Sequence, residues 1–155
     1  MTPFHIVLVA PEIPQNTGTI GRLAVSTGAV LHLVEPLGFS LEDKYLKRAG
    51  LDYWKFLDLH RHRDWEEFLG TLRADARLLF FSTHGERSHF DENYRPGDYL
   101  VFGRESAGLP QEFYARYRES LRVIPMPGEH SRSLNLANAV SIVLYEALRQ
   151  TMYAS

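Results

Sequence analysis

Three stretches of this chain gather small polar side chains, glycines and isolated charges in a way that suits a ligand pocket. The densest runs Ile124-Pro-Met-Pro-Gly-Glu-His-Ser-Arg-Ser-Leu-Asn-Leu-Ala-Asn, where Ser131, Ser133, Asn135 and Asn138 crowd the start of a long apolar segment. A helix start leaves backbone N–H groups unpaired, and one such residue is enough to cap it. Four at one junction point to ligand contacts as well. Their hydroxyls and amides offer donors and acceptors without bulk, which suits a nucleoside or a similar flat polar molecule.

The second stretch is Pro11-Glu-Ile-Pro-Gln-Asn-Thr-Gly-Thr-Ile-Gly-Arg. Asn16 and Thr17 read as caps of a following helix, while Gly18 and Gly21 would let backbone come close to a ligand. Arg22 falls about one turn beyond Gly18; taken alone it reads more readily as a solvated surface residue. The third stretch is Phe102-Gly-Arg-Glu-Ser-Ala-Gly-Leu-Pro. Glu105 ends a buried strand there, and a carboxylate in that place needs a partner, an arginine being the obvious one. The same residues also read as a turn and a helix start at Leu109-Pro110.

Other chemistries lack their signatures. G-x-G-x-x-G, G-K-[ST], G-x-S-x-G and H-E-x-x-H are all absent. His60 and His62 form an H-x-H without a third ligand at helical spacing, so no metal site is expected. Tyr53, Trp54 and Phe56 read as core, with base stacking the minor alternative. Lys44, Lys47, Arg48 and Lys55 form a basic cluster that is either a solvated face or a phosphate contact.

These residues need a frame. His5 to Val9, Val30 to Val34, Arg77 to Ser82, Tyr99 to Phe102 and Leu121 to Ile124 are short, apolar, strand-like runs. Helices are expected over Thr19 to Thr27, stopped by Gly28, and from a Ser40/Asp43 capping box to about Ala49. Others are expected over Asp64 to Leu72, Pro110 to Arg118 and Leu134 to Gln150. Strands alternating with helices predict an α/β fold, a parallel sheet with helices on both faces. Ligands on such sheets bind beyond the carboxyl ends of the strands. The three polar stretches follow the first strand, the Tyr99 strand and the Leu121 strand, so they should converge.

The 155 residues fit a single domain, 1–155, with a full core. Net charge is −2, so bulk electrostatics do not point to nucleic acid, although fourteen Arg stand against three Lys. With no cysteine there is no disulfide framework and no thiol nucleophile. No apolar run reaches the roughly 18 residues that span a membrane, and a strand-like run follows Pro3 directly. The expected location is cytoplasmic.

Together, the three stretches resemble the signature motifs of the SPOUT superfamily of RNA methyltransferases, over nearly the whole chain. Pro11 to Gly18 with Arg22 resembles motif one. Leu100-Val-Phe-Gly-Arg-Glu-Ser-Ala-Gly-Leu-Pro resembles motif two, and Ile124 to Val140 resembles motif three. Glu35-Pro-Leu-Gly-Phe and Lys47-Arg-Ala-Gly-Leu-Asp-Tyr narrow this to minimal tRNA 2′-O-methyltransferases that act on the wobble nucleotide.

The resemblance implies S-adenosyl-L-methionine as cofactor, tRNA bound at its anticodon loop, and a trefoil knot in the C-terminal half. It also implies a homodimer whose active sites draw on both subunits. Arg22, Asn16, Glu105, Ser133 and Asn135 match the catalytic positions. Phe81, Ser82, Thr83, Gly103, Glu105, Gly108, Ile124, Met126, Ser133 and Leu134 match the cofactor-binding ones. Three departures stand out: a longer loop at Pro127-Gly-Glu-His, Arg104 where many relatives carry Pro, and Ala137 where Ser is common. The implied reaction puts a methyl group on a ribose 2′-hydroxyl of cytidine or modified uridine 34. The alternatives are another tRNA position, rRNA, or a non-catalytic RNA-binding protein on the same fold. Family proposals give the hydroxyl proton to Arg22, though a guanidinium in water keeps its own proton. Asn16 would position Arg22 or the ribose, and Glu105 would fix the geometry.

Overall fold

A computed structural model describes residues 2–153. Seven strands form one sheet: β1 (His5–Val9), β2 (Val30–Val34), β3 (Leu59–His62), β4 (Leu78–Phe81), β5 (Arg87–Ser88), β6 (Tyr99–Phe102) and β7 (Leu121–Val123). Their order is β3-β2-β1-β6-β4-β7-β5, and every pairing is parallel. The five strands read from sequence are all present, to within a residue or so at the ends of β4 and β7. β3 and β5 were not anticipated.

Five helices cover the sheet: α1 (Pro14–Thr27), α2 (Lys44–Gly50), α3 (Trp65–Gly70), α4 (Phe113–Arg116) and α5 (Leu136–Leu148). Strand alternation decides which face each serves. Ile6 and Leu8 of β1 join Ile20 and Ala24 of α1 and Val140, Val143, Leu144 and Ala147 of α5 in one core. Val7 and Val9 face the other way, onto Trp65 and Phe68 of α3 and Phe113 of α4. Helices therefore lie on both faces, as the strand–helix alternation predicts.

Several boundaries differ from the expectation. α1 begins at Pro14, not Thr19, because proline fits the first turn, where its missing N–H costs nothing. Asn16 and Thr17 thus lie inside the helix, and the cap position, Ile13, has no side-chain bond. Asp43, rather than Ser40, caps α2, accepting from the N–H groups of Tyr45 and Leu46 at 2.8 and 3.4 Å. Asp64 caps α3 as anticipated, accepting from Glu67 N at 2.8 Å. Gly28 closes α1 in the left-handed region at φ 73°. Tyr53 and Phe56, expected in the core, are 41% and 69% exposed in the 3-10 turns Leu51–Phe56. Only two-residue β5 and three-residue β7 lie beyond β4. There the connection from β4 to β5 crosses β7 so closely that a Cβ on Gly85 would meet the Arg122 carbonyl carbon at 2.8 Å.

Candidate active site

The three motif segments meet at the carboxyl ends of β1, β4, β6 and β7. Ala10 ends β1 with φ 54°, a left-handed turn that throws Pro11–Ile13 across the strand ends. Beyond β6, Gly103 packs so tightly on the returning loop that a Cβ would lie 2.0 Å from the Gly108 carbonyl carbon. Paired backbone bonds between Arg104 and Gly108, at 2.8 and 3.1 Å, close that loop. Beyond β7, residues 124–135 lead into α5, whose cap is Asn135, accepting from Asn138 N at 3.1 Å.

Side chains then link the segments. Glu105 accepts from Glu12 N at 2.8 Å, Ile13 N at 3.1 Å and Asn16 Nδ2 at 3.1 Å. Asn135 Nδ2 donates to Asn16 Oδ1 at 3.1 Å. In return, Glu12 accepts from the backbone N–H and hydroxyl of Ser106 at 2.8 and 2.7 Å. Those two bonds hold the Glu12 carboxyl below its ordinary range. The arginine expected beside Glu105 is not its partner. Unpaired N–H groups ahead of α1 take that role, because the carboxylate sits against the positive end of the helix.

A cavity of about 460 Å³ opens beside this chain of bonds. Asn16, Glu105, Ser133 and Asn135 line it, as do Phe81, Ser82, Thr83, Gly103, Gly108, Ile124, Met126 and Leu134. Tyr114, His84, Ile13, Leu136 and Ala139 line it too and were not singled out from sequence. Tyr114 carried no local signal, since its place in the wall depends on how α4 packs.

Arg22 is the exception among the expected site residues. It is exposed on α1, does not line the cavity of its own chain, and lies over the Tyr53 ring at 5.3 Å. Gly21 does not face a ligand. A Cβ there would meet the Trp54 ring at 2.5 Å, so the glycine admits the 3-10 turns that carry Tyr53. His60 and His62 have separate partners: His62 Nε2 bonds His32 Nδ1 at 3.0 Å, and His60 meets Asp58 at 2.7 Å. Among the described residues, no group of three or more His, Asp or Glu side chains is placed to hold a metal ion.

A parallel α/β sheet with a cavity at the carboxyl ends of its strands has the layout in which α/β enzymes bind their ligands. The model of the SpoU rRNA Methylase family matches residues 3–145, and the chain belongs to that family. A tRNA (cytidine(34)-2'-O)-methyltransferase of Acidovorax sp. (strain JS42) is 49% identical over 153 residues, 97% of this chain and 93% of that protein. A solved structure described as giving insight into 2-OH methylation of nucleotide C/U34 on tRNA shares 51% identity, with TM-score 0.92 and 96% of each chain covered. The SpoU methyltransferase AviRb from Streptomyces viridochromogenes, in complex with AdoMet, aligns at TM-score 0.87 and 28% identity, covering 100% of this chain and 60% of that one.

Proposed function

We propose that the protein methylates the ribose 2′-oxygen of the wobble nucleotide, position 34, of tRNA, with S-adenosyl-L-methionine as donor. The observation that carries this is the bond chain Glu105–Asn16–Asn135, which draws all three motif segments to the rim of one cavity. When bound, the cofactor supplies an electrophilic methyl carbon on a sulfonium. The cavity suits it: Ile124, Met126 and Leu134 offer apolar wall, the strand ends offer main chain, and Glu105 offers negative charge. Phe81, Ser82, Thr83, Gly103, Gly108 and Ser133 complete the holding set.

Forming the methyl ether would break the S–CH3 bond, leave S-adenosylhomocysteine as the thioether and release the hydroxyl proton to water. Glu105 is poorly placed to take it, since both its oxygens already accept N–H donors. Its work is to orient Asn16, and Asn135 holds the opposite edge of that amide. Asn16 and Asn135 then fix the ribose, and alignment of the reacting atoms supplies most of the rate. Arg22 completes the site from a second copy of the chain, because its own cavity does not include it. Exposed apolar side chains on α5 support such a homodimer: Ile142 at 37% and Tyr145 at 53%.

Residues 1–155 act as one methyltransferase domain in this reading. The crossing of the β4–β5 connection over β7 supports a trefoil knot in its C-terminal half. A cytoplasmic location goes with the tRNA substrate, and among the described residues no helix is long and apolar enough to cross a membrane.

The test incubates the protein with methyl-labelled cofactor and total tRNA, then maps the label. Label on the ribose of nucleotide 34 is expected. Label at another position, or only on rRNA, overturns the assignment. A tRNA with a 2′-deoxy nucleotide 34 should take none, and methylation of that substrate would mean a base atom is the target.

A further inference from the structure

We propose that Tyr114 is a cofactor-positioning residue, whose hydroxyl, set by Ser82, hydrogen-bonds an acceptor on the adenosyl half of the cofactor. This rests on the cofactor reading above. Phe113, fully buried, packs on Trp65 at 4.7 Å and on Phe80 at 5.7 Å between ring centroids. That anchor fixes the rotation of α4 and leaves the next residue, Tyr114, in the cavity wall. Its Oη lies 2.9 Å from Ser82 Oγ, just beyond β4. Ser82 is itself fixed: its N–H donates to Arg122 O at 3.0 Å, and its Oγ accepts from His84 N at 3.1 Å.

Counting protons gives the pair its function. Two hydroxyls carry two protons and spend one between them. Either oxygen can donate in this pair; with the cofactor bound, Ser82 donates to Tyr114 Oη. The phenolic proton is then left for another acceptor. The Tyr114 hydroxyl also has room toward the motif-two loop. Gly108 sits at φ 72°, and even a Cβ there would stay 3.8 Å from Oη. Ring nitrogens and ribose oxygens of an adenosyl group are the acceptors that match. The motif-two loop thus faces two neighbours, with Glu105 turned to α1 and Gly108 turned to Tyr114.

The experiment is calorimetric titration of S-adenosylhomocysteine into the full chain and its variants. Tyr114→Phe keeps the ring and should weaken binding about fivefold to tenfold, the worth of one hydrogen bond. Ser82→Ala should weaken it by a smaller factor, and the double variant should bind no worse than Tyr114→Phe, since the two act as a unit. In turnover, Tyr114→Phe should raise the cofactor KM while tRNA KM holds and kcat changes less than twofold. Wild-type affinity in Tyr114→Phe, or additive losses in the double variant, would overturn the proposal. A thermal midpoint that falls while affinity holds would make the tyrosine structural and overturn it equally. Failure of the wild-type chain to bind S-adenosylhomocysteine would instead remove the cofactor reading, and this assignment with it.

Discussion

Asn16 sits between two partners that both depend on it, one amide edge on Glu105 and the other on Asn135. It is 7% exposed, so removing it leaves Asn135 Nδ2 without its acceptor and takes one of three donors from Glu105. Asn16→Ala should cost about 1–3 kcal/mol in urea denaturation. Asn16→Asp is nearly isosteric yet sets a second carboxylate against Glu105, so it should be worse than alanine at pH 7 and partly recover near pH 4. If aspartate is tolerated as well as asparagine at pH 7, the hydrogen-bond direction assigned here is wrong. Arg22 behaves differently because it is exposed and stacks only on Tyr53. Arg22→Ala should abolish methyl transfer and leave S-adenosylhomocysteine affinity within about tenfold, roughly 1.4 kcal/mol. Wild-type turnover by that variant would remove Arg22 from the reaction.

At the scale of elements, two glycines set how segments approach. Gly103 lets the loop after β6 fold back on itself, since any side chain would overlap Gly108 and Leu109 main chain at 2.0–2.1 Å. Gly103→Ala should therefore abolish cofactor binding even if the sheet still forms, which titration and circular dichroism together can read. Gly21 lets Trp54 rest on α1. Gly21→Ala overpacks that contact and should destabilise the protein by about 1–3 kcal/mol, with a change in tryptophan fluorescence. A neutral result would mean that the Leu51–Phe56 turns do not depend on α1. β3 escaped sequence reading because Leu59-His-Arg-His alternates nothing apolar and lies at the sheet edge. β5 escaped because two residues carry no period. The start of α1 was misplaced for a different reason: Pro14 reads as a breaker unless it falls in the first turn.

Across the whole molecule, the face beneath α3 carries an unusual ladder. His5 Nδ1 meets His32 Nε2 at 2.9 Å, and His32 Nδ1 meets His62 Nε2 at 3.0 Å. Tyr99 stacks on His5, and Phe68 lies edge-on to His32 and His62. Burial, reinforced by the neighbouring histidines, pushes His32 down to about 3, and burial lowers His5 and His62 as well. The unfolded chain, with histidines near 6.5, then binds more protons than the native one below that pH, so stability rises with pH. It is fully present above about pH 6.5 and falls, for His32 alone, by roughly 1.4 kcal/mol per pH unit below it. Denaturant titrations at pH 7, 6 and 5 should show this slope before carboxylates such as Glu92 begin to protonate, and His32→Leu should flatten it. An unchanged slope in His32→Leu would assign the pH dependence elsewhere.

The amino-acid sequence by itself determined the five apolar strands and the convergence of three polar loops, because burial period and turn chemistry are local and repeat along the chain. It also singled out Glu105, a charge just beyond a buried strand, and Asn135, an amide at a helix start. Tertiary structure decided the partners. That Glu105 bonds the start of α1 rather than an arginine, that Tyr114 joins the cavity, and that His32 lies between two other histidines all depend on strand order and helix rotation. Those contacts join residues 27 to 93 positions apart, and no local pattern encodes which distant segment will arrive.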